Sequence, residues 1–218
     1  MCGIAGGIGP SAPSVQSLEA QLTKLEHRGP DDRGTYVNQS IALGMCRLAI
    51  VEIAAGKQPF ESADGKIKIV FNGEIYNYRE LREKLVSLGH VFSGASESEV
   101  IIALYRQHGP DFPNHLIGMF AIALFDQAND ALVLVRDRVG KKPLWFSKCA
   151  DGSILFASEV KALLAGLPTR TLRKGAVAEV MQFGYVNSPN SAFAEIRQLP
   201  PATMAIWHKG DWSMRTYW

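Results

Sequence analysis

The sequence predicts an α+β fold in which antiparallel sheets carry helices on their outer faces. Three observations lead there. Strand-like segments follow one another with no helix between them, whereas a parallel sheet needs a crossover helix at each step. A few segments with apolar residues every three or four positions intervene as amphipathic helices. The chain has 218 residues and is 47% apolar, enough for one well-filled core or at most two small ones.

In chain order, Gly3, Ile4, Ala5, Gly6 and Gly7 read as a buried strand with close backbone approach. Val15, Leu18, Leu22 and Leu25 mark a helix up to Glu26, and His27 to Asp32 form a compact polar loop. Residues 34–37 and 41–45 are two short strands, and Arg47 is the single charge at the head of the apolar run to Ile53. Asp64 and Gly65 turn the chain into an apolar strand ending at Phe71, in which Ile67 and Ile69 alternate with lysines. Asn77 is placed to cap a helix containing Leu81, Leu85 and Leu88 and ended by Gly89. Ser96 and Glu99 have the spacing of a capping box for a helix that runs to Gly109. Strands at 120–125 and 132–136, joined through Asn129 and Asp130, are followed by another at 153–157. The last third offers a helix at Ala176–Phe183, a loop with Pro189 and a hairpin around Lys209 and Gly210. There is no repeat and no low-complexity segment.

The net charge of +2 and the absence of any run of like charge argue against a nucleic-acid or membrane surface. No apolar stretch reaches spanning length and no secretory signal opens the chain, which points to the cytoplasm. Cys2, Cys46 and Cys149 are odd in number and scattered, so neither a disulfide framework nor a metal cluster is expected.

The chemistry centres on Cys2. Removal of Met1 would put the thiol and a free α-amine on one residue, a nucleophile with its own general base. A free thiol and an α-amine ordinarily titrate near ~8.5 and ~8, so proton transfer between such groups is close to thermoneutral. The other reading is a small apolar residue entering the first strand. Asn72, a side-chain amide donor, stands beside Gly73, whose N–H is sterically open, and then Glu74. Together they suit an oxyanion hole, although Asn-Gly is also a common turn. Arg47 suits bidentate capture of a carboxylate or a snorkelling strand edge. Glu97, in a helix first turn, suits an ammonium or the helix dipole alone.

These segments resemble a known family. Met1 to Gly6, His27 to Asp32, Gly44 with Arg47 to Ile50, Phe71-Asn72-Gly73-Glu74-Ile75-Tyr76-Asn77, Arg136-Asp137-Arg138 with Gly140 and Lys142-Pro143-Leu144, and Phe156-Ala157-Ser158-Glu159 with Lys161 are similar, in order, to the glutaminase domain of glutamine-hydrolysing asparagine synthetases. These are class II glutamine amidotransferases. The resemblance implies an N-terminal-nucleophile hydrolase αββα sandwich spanning residues 1–218 as a single domain. It implies that Cys2 attacks the side-chain amide of L-glutamine, that Asn72 and Gly73 hold the oxyanion, and that ammonia and glutamate are released through a thioester. By the same resemblance, Arg47 binds the α-carboxylate, Leu48, Ala49, Ile50, Val51 and Glu74 line the pocket, Glu97 meets the α-ammonium, and the loop Arg28 to Asp32 closes over the substrate.

The sequence departs from the pattern in places. Glu97 stands where aspartate is usual, Met45 and Cys46 replace more polar residues before Arg47, and Ala202 and Thr203 follow Pro201 where glycine and histidine are usual. The synthetase domain, on which ATP and magnesium are expected, is absent from these residues, and no cofactor or metal is expected here. The expected partners are L-glutamine and a synthetase domain or subunit that receives ammonia. The acceptor and the oligomeric state, a homodimer included, stay open. The competing reading is a catalytically weak domain kept as an interaction partner of a synthetase.

Overall fold

The computed structural model describes residues 1–11, 14–48 and 57–218. Two six-stranded sheets face each other, and every strand pairing within them is antiparallel. The first is built from β1 (Gly3–Ile8), β2 (Asp32–Val37), β3 (Ile41–Arg47), β8 (Trp145–Lys148), β9 (Ile154–Ala157) and β10 (Ile196–Gln198), in the order β10-β8-β9-β1-β3-β2. The second holds β4 (Phe60–Glu61), β5 (Ile67–Ile75), β6 (Gly118–Asp126), β7 (Ala131–Arg136), β11 (Thr203–His208) and β12 (Asp211–Thr216), in the order β12-β11-β7-β6-β5-β4.

Because strand side chains alternate between faces, each sheet builds two cores. Ile4, Ile8, Leu43 and Met45 of the first sheet meet Val70, Ala123, Phe125 and Leu134 of the second. Ala5, Ala42 and Cys46 face the other way, onto Leu18 and Leu22 of α1 (Val15–Thr23) and Leu163 of α4 (Val160–Gly166). On the far side, Ile69, Phe71 and Ile122 pack under Leu81 and Leu85 of α2 (Tyr78–Ser87) and Ile101 and Leu104 of α3 (Glu97–His108). Three stacked cores make four layers, the αββα order the resemblance implies.

Several local expectations change. β5 does not end at Phe71 but runs to Ile75, so Asn72 and Gly73 lie inside a strand and not in a turn. Lys68 is not a solvent-facing lysine: it is buried, pairs with Glu61 at 3.2 Å and lies 4.8 Å over the Tyr36 ring. Asn77 occupies the N-cap position of α2 without a capping bond, because its amide and carbonyl are committed to His115 O and Ile117 N at 3.0 Å each. Ser96 does cap α3, but Glu99 reaches past it to Ser93 and Gly94 instead of closing the box. The first helix stops at Thr23, and Leu25 is buried from the turn that follows. The strands β8 and β10 and the helix α4 carried no period long enough to predict. The helix α5 (Ala176–Phe183) has its predicted bounds, closed by Gly184 in the left-handed region. Among the described residues no helix is long and apolar enough to cross a membrane.

Candidate active site

The alternation that builds the cores also selects what enters the gap between the sheets. Cys2 continues the Ile4 face of β1, Arg47 continues the Met45 face of β3, and Asn72 and Glu74 continue the Val70 face of β5. Two cross-sheet contacts fix the relative level of these strands. Lys68 lies over Tyr36, which is paired through Leu43 to Gly6. Phe71 is tied through Gln58 to Gly34, which is paired through Met45 to Ile4. Moving from Lys68 to Phe71 on β5 therefore moves from Gly6 to Ile4 on β1. The next residues, Asn72 and Gly73, come level with Cys2.

The side-chain amide nitrogen of Asn72 is buried with no hydrogen-bond partner, in a residue only 2% exposed. An unmet donor in such a place costs about 1–3 kcal/mol and is tolerated where something else accepts from it. Gly73 is required by close approach: a Cβ there would lie 2.1 Å from Met119 O and 2.7 Å from the Phe120 Cα. The edge of β5 completes the picture. The N–H groups of Ile67, Phe71 and Ile75 donate to the Ser62 hydroxyl (3.0 Å), Gln58 Oε1 (2.6 Å) and Glu97 Oε1 (2.6 Å), all on the edge away from β6. By the same alternation, the Gly73 N–H points to that edge.

Cys2 is half-buried, and its Sγ lies 3.9 Å from Leu48 O. Its carbonyl accepts from Arg28 Nε at 3.0 Å, and Arg28 Nη1 donates to Glu159 Oε1 at 2.8 Å. Glu159 also receives His27 at 3.0 Å and Lys161 at 3.3 Å. Burial pushes the Glu159 carboxyl up, and the bonds from Arg28, His27 and Lys161 outweigh it, so the net shift is below the ordinary range. Ile4 N donates to the Ser158 hydroxyl at 2.9 Å. β1 is thus held at its very start by the segment 157–161 and by Arg28, whose guanidinium donates to the Cys2 carbonyl.

Of the other predicted residues, Arg47 is buried at the end of β3 and Glu74 is exposed at the rim. Glu97 stands in the first turn of α3 with one carboxylate oxygen on Ile75 N. Leu48 is present through its carbonyl, and Ala49, Ile50 and Val51 lie outside the described residues. Cys46, one of the two residues that replace more polar ones before Arg47, does not change the polarity beside this pocket. Cys46 points to the opposite face, where its thiol donates to Leu22 O at 3.3 Å and burial pushes its pKa up.

The sequence reading assigned no role to Arg136 and Asp137 beyond resemblance. Arg136 is buried and donates to the carbonyls of Lys142, Leu199 and Gly140 at 2.7–2.8 Å. Asp137, fully buried, accepts from the N–H groups of Phe120, Lys141 and Lys142. Phe120 is the residue opposite Gly73. The signal was visible as three adjacent charges before a glycine, a pattern rarely buried unless every polar atom is matched. Among the described residues no group of three or more His, Cys, Asp or Glu is arranged to hold a metal ion.

The whole chain, residues 1–218, matches the family model described as a glutamine amidotransferase domain. The chain belongs to this family. It is 33% identical over 223 residues to glutamine-hydrolyzing asparagine synthetase 1 of Bacillus subtilis (strain 168), covering 100% of this chain and 35% of that protein. It is 39% identical over 170 residues to synthetase 2 of the same organism, covering 76% and 22%. It is 42% identical over 166 residues to synthetase 3 of Arabidopsis thaliana, covering 75% and 28%. This amidotransferase domain therefore spans about a fifth to a third of the length of these relatives. A solved structure described as the allosteric regulatory enzyme of purine biosynthesis superposes with a TM-score of 0.72 at 20% identity, over 99% of this chain and 49% of that one. The glutamine phosphoribosylpyrophosphate amidotransferase of B. subtilis gives 0.69 at 19% identity, again over 99% and 49%. These likenesses show the fold, an αββα sandwich of two antiparallel sheets.

Proposed function

We propose that this amidotransferase domain hydrolyses L-glutamine to L-glutamate and ammonia, and that the ammonia feeds an asparagine-synthetase-type amidation on a synthetase domain or subunit. The observation that carries the reading is the unpartnered Asn72 amide, buried in the gap between the sheets and level with Cys2.

Once Met1 is removed, the Cys2 α-amine takes the thiol proton as Sγ attacks the glutamine side-chain carbonyl carbon. The oxygen that becomes negative is met by the Asn72 amide and the Gly73 N–H, each such donor lowering the barrier by about 3–4 kcal/mol. The C–N bond then breaks, the proton held by the α-amine passes to the leaving nitrogen, and ammonia departs. Water attacks the thioester, the C–S bond breaks, and glutamate and the free thiol are restored. Arg47 holds the α-carboxylate, Glu97 meets the α-ammonium, and Leu48 and Glu74 line the pocket. Nucleophile, proton carrier and oxyanion donors all come from the chain, so this half-reaction takes no cofactor. ATP and magnesium act with the synthetase.

The test couples two measurements on the purified protein: its mass, and glutamate formed from glutamine beside a Cys2→Ala variant. Met1, more than half exposed, is accessible for removal. Activity in protein that begins at Cys2, lost in the variant, supports the reading. No activity in protein shown to begin at Cys2 overturns it in favour of an interaction domain.

A further inference from the structure

Gln58 occupies a place on β5 that the ladder leaves vacant. The register Phe60↔Ile69 and Glu61↔Lys68, extended by two, sets Gln58 opposite Phe71. A regular strand would there accept the Phe71 N–H with its backbone carbonyl. That carbonyl is instead turned to the other sheet, against Gly34 of β2, so closely that a Cβ on Gly34 would lie 1.8 Å from it. The side chain takes over, and Gln58 Oε1 accepts from Phe71 N at 2.6 Å. Gln58 thus joins the edges of the two sheets at the level of the site, directly before the two donors Asn72 and Gly73.

We propose that Gln58 is a positioning residue for the oxyanion donors. It substitutes for a missing strand at Phe71 and leaves the next N–H on that edge, Gly73, directed at substrate. The inference rests on the glutaminase reading above. Continuing β4 in backbone register would satisfy Phe71 equally well, but it would carry a strand across Gly73 and block the hole. Ending the ladder without Gln58 would leave the Phe71 N–H unpaired and β5 untethered on that edge between Ile69 and Ile75. A side-chain acceptor at this one position satisfies both needs. It acts on the transition state, because the donors meet the oxyanion and not the bound glutamine carbonyl, so kcat is affected and KM is not.

The experiment compares Gln58→Leu, which keeps the size and removes the acceptor, with Gln58→Glu, which restores an acceptor in the same place. In Gln58→Leu, kcat is expected to fall about 10- to 100-fold while KM stays within about threefold. In Gln58→Glu, kcat is expected to return to within about threefold of the parent. Hydrogen exchange of the Phe71 amide, at least about tenfold faster in the Leu variant, reports the anchor without reference to activity. A Leu variant with parental kcat, a loss confined to KM, or equal losses in Leu and Glu overturns the proposal. An inactive parent that begins at Cys2 is a different failure, that of the glutaminase reading, and the exchange rate still judges the anchor.

Discussion

β1 and β5 carry the two halves of the site from opposite sheets, and they are held in opposite ways. β1 is central: β3 pairs it along one edge from Gly3 to Ile8, β9 pairs it along the other from Ala5, and Ser158 takes the N–H of Ile4. β5 is continuous with β6 from Ile67 to Ile75, yet its other edge meets β4 at only two positions. Under the proposed function, a nucleophile at the start of the processed chain gains from a strand with no loose edge, since the first residues of most chains fray, and oxyanion donors need the reverse, a strand whose N–H groups are left unpaired at one chosen place. Side chains from Ser62, Gln58 and Glu97 take up the rest of that edge.

The comparison can be broken from either half. Cys2→Ala is expected to have the largest effect, a loss of glutaminase activity of at least about 10³-fold, read as glutamate release, with the fold intact by thermal melting. Asn72→Ala comes next: kcat lower by about 10²- to 10³-fold with little change in KM, since the amide meets charge that develops only in the transition state. An equal change in KM would mean that Asn72 binds ground-state glutamine. Glu97→Asp withdraws the carboxylate from the Ile75 N–H. KM for glutamine is expected to rise several-fold, about 1 kcal/mol, in steady-state kinetics. A fall in KM would show that the shorter acid fits the ammonium better and that the bond to Ile75 contributes nothing.

The smallest effect is on the bracing of β1. The folded-state pKa of Glu159 is depressed below its ordinary 4.5, so the carboxylate's contribution is fully present above that value. It is lost as pH falls through the folded-state pKa. Glu159→Gln is expected to lower stability by about 1–2 kcal/mol at neutral pH, and the gap between variant and parent should close in acid. A gap that persists unchanged below pH ~3, where carboxylates are protonated, would mean that Arg28 and Glu159 interact through packing and not charge.

Much of the architecture was legible because it depends on local rules. The strands at 120–125 and 132–136 are joined by too few residues for a crossover helix, and Gly89, Gly109 and Gly184 end helices in backbone conformations that few other residues adopt. The strands β8 and β10, of four and three residues, gave no signal because so short a strand is stabilised by its neighbours and not by its own pattern. Alternation likewise fixes which residues share a face but not whether that face meets water, and Lys68 is buried. Its long stem and a ring beneath its ammonium make burial tolerable.

By residue type alone, Cys2 behind Met1, the Asn72-Gly73 pair and the lone Arg47 each left a structural alternative open, and it was the resemblance of the surrounding segments that implied their roles. What sequence could not supply was their assembly. Phe71 and Gln58 are 13 residues apart, Arg28 and Glu159 are 131 apart, and Ile4 and Ser158 are 154 apart. The bonds between them exist only after the sheets have stacked. The sequence by itself determined the alternation that turns Cys2, Arg47 and Asn72 to one face of their strands. Only the tertiary structure decided that these three faces look into the same gap at the same level, because sheet register and stacking are set by long-range packing that no local pattern encodes.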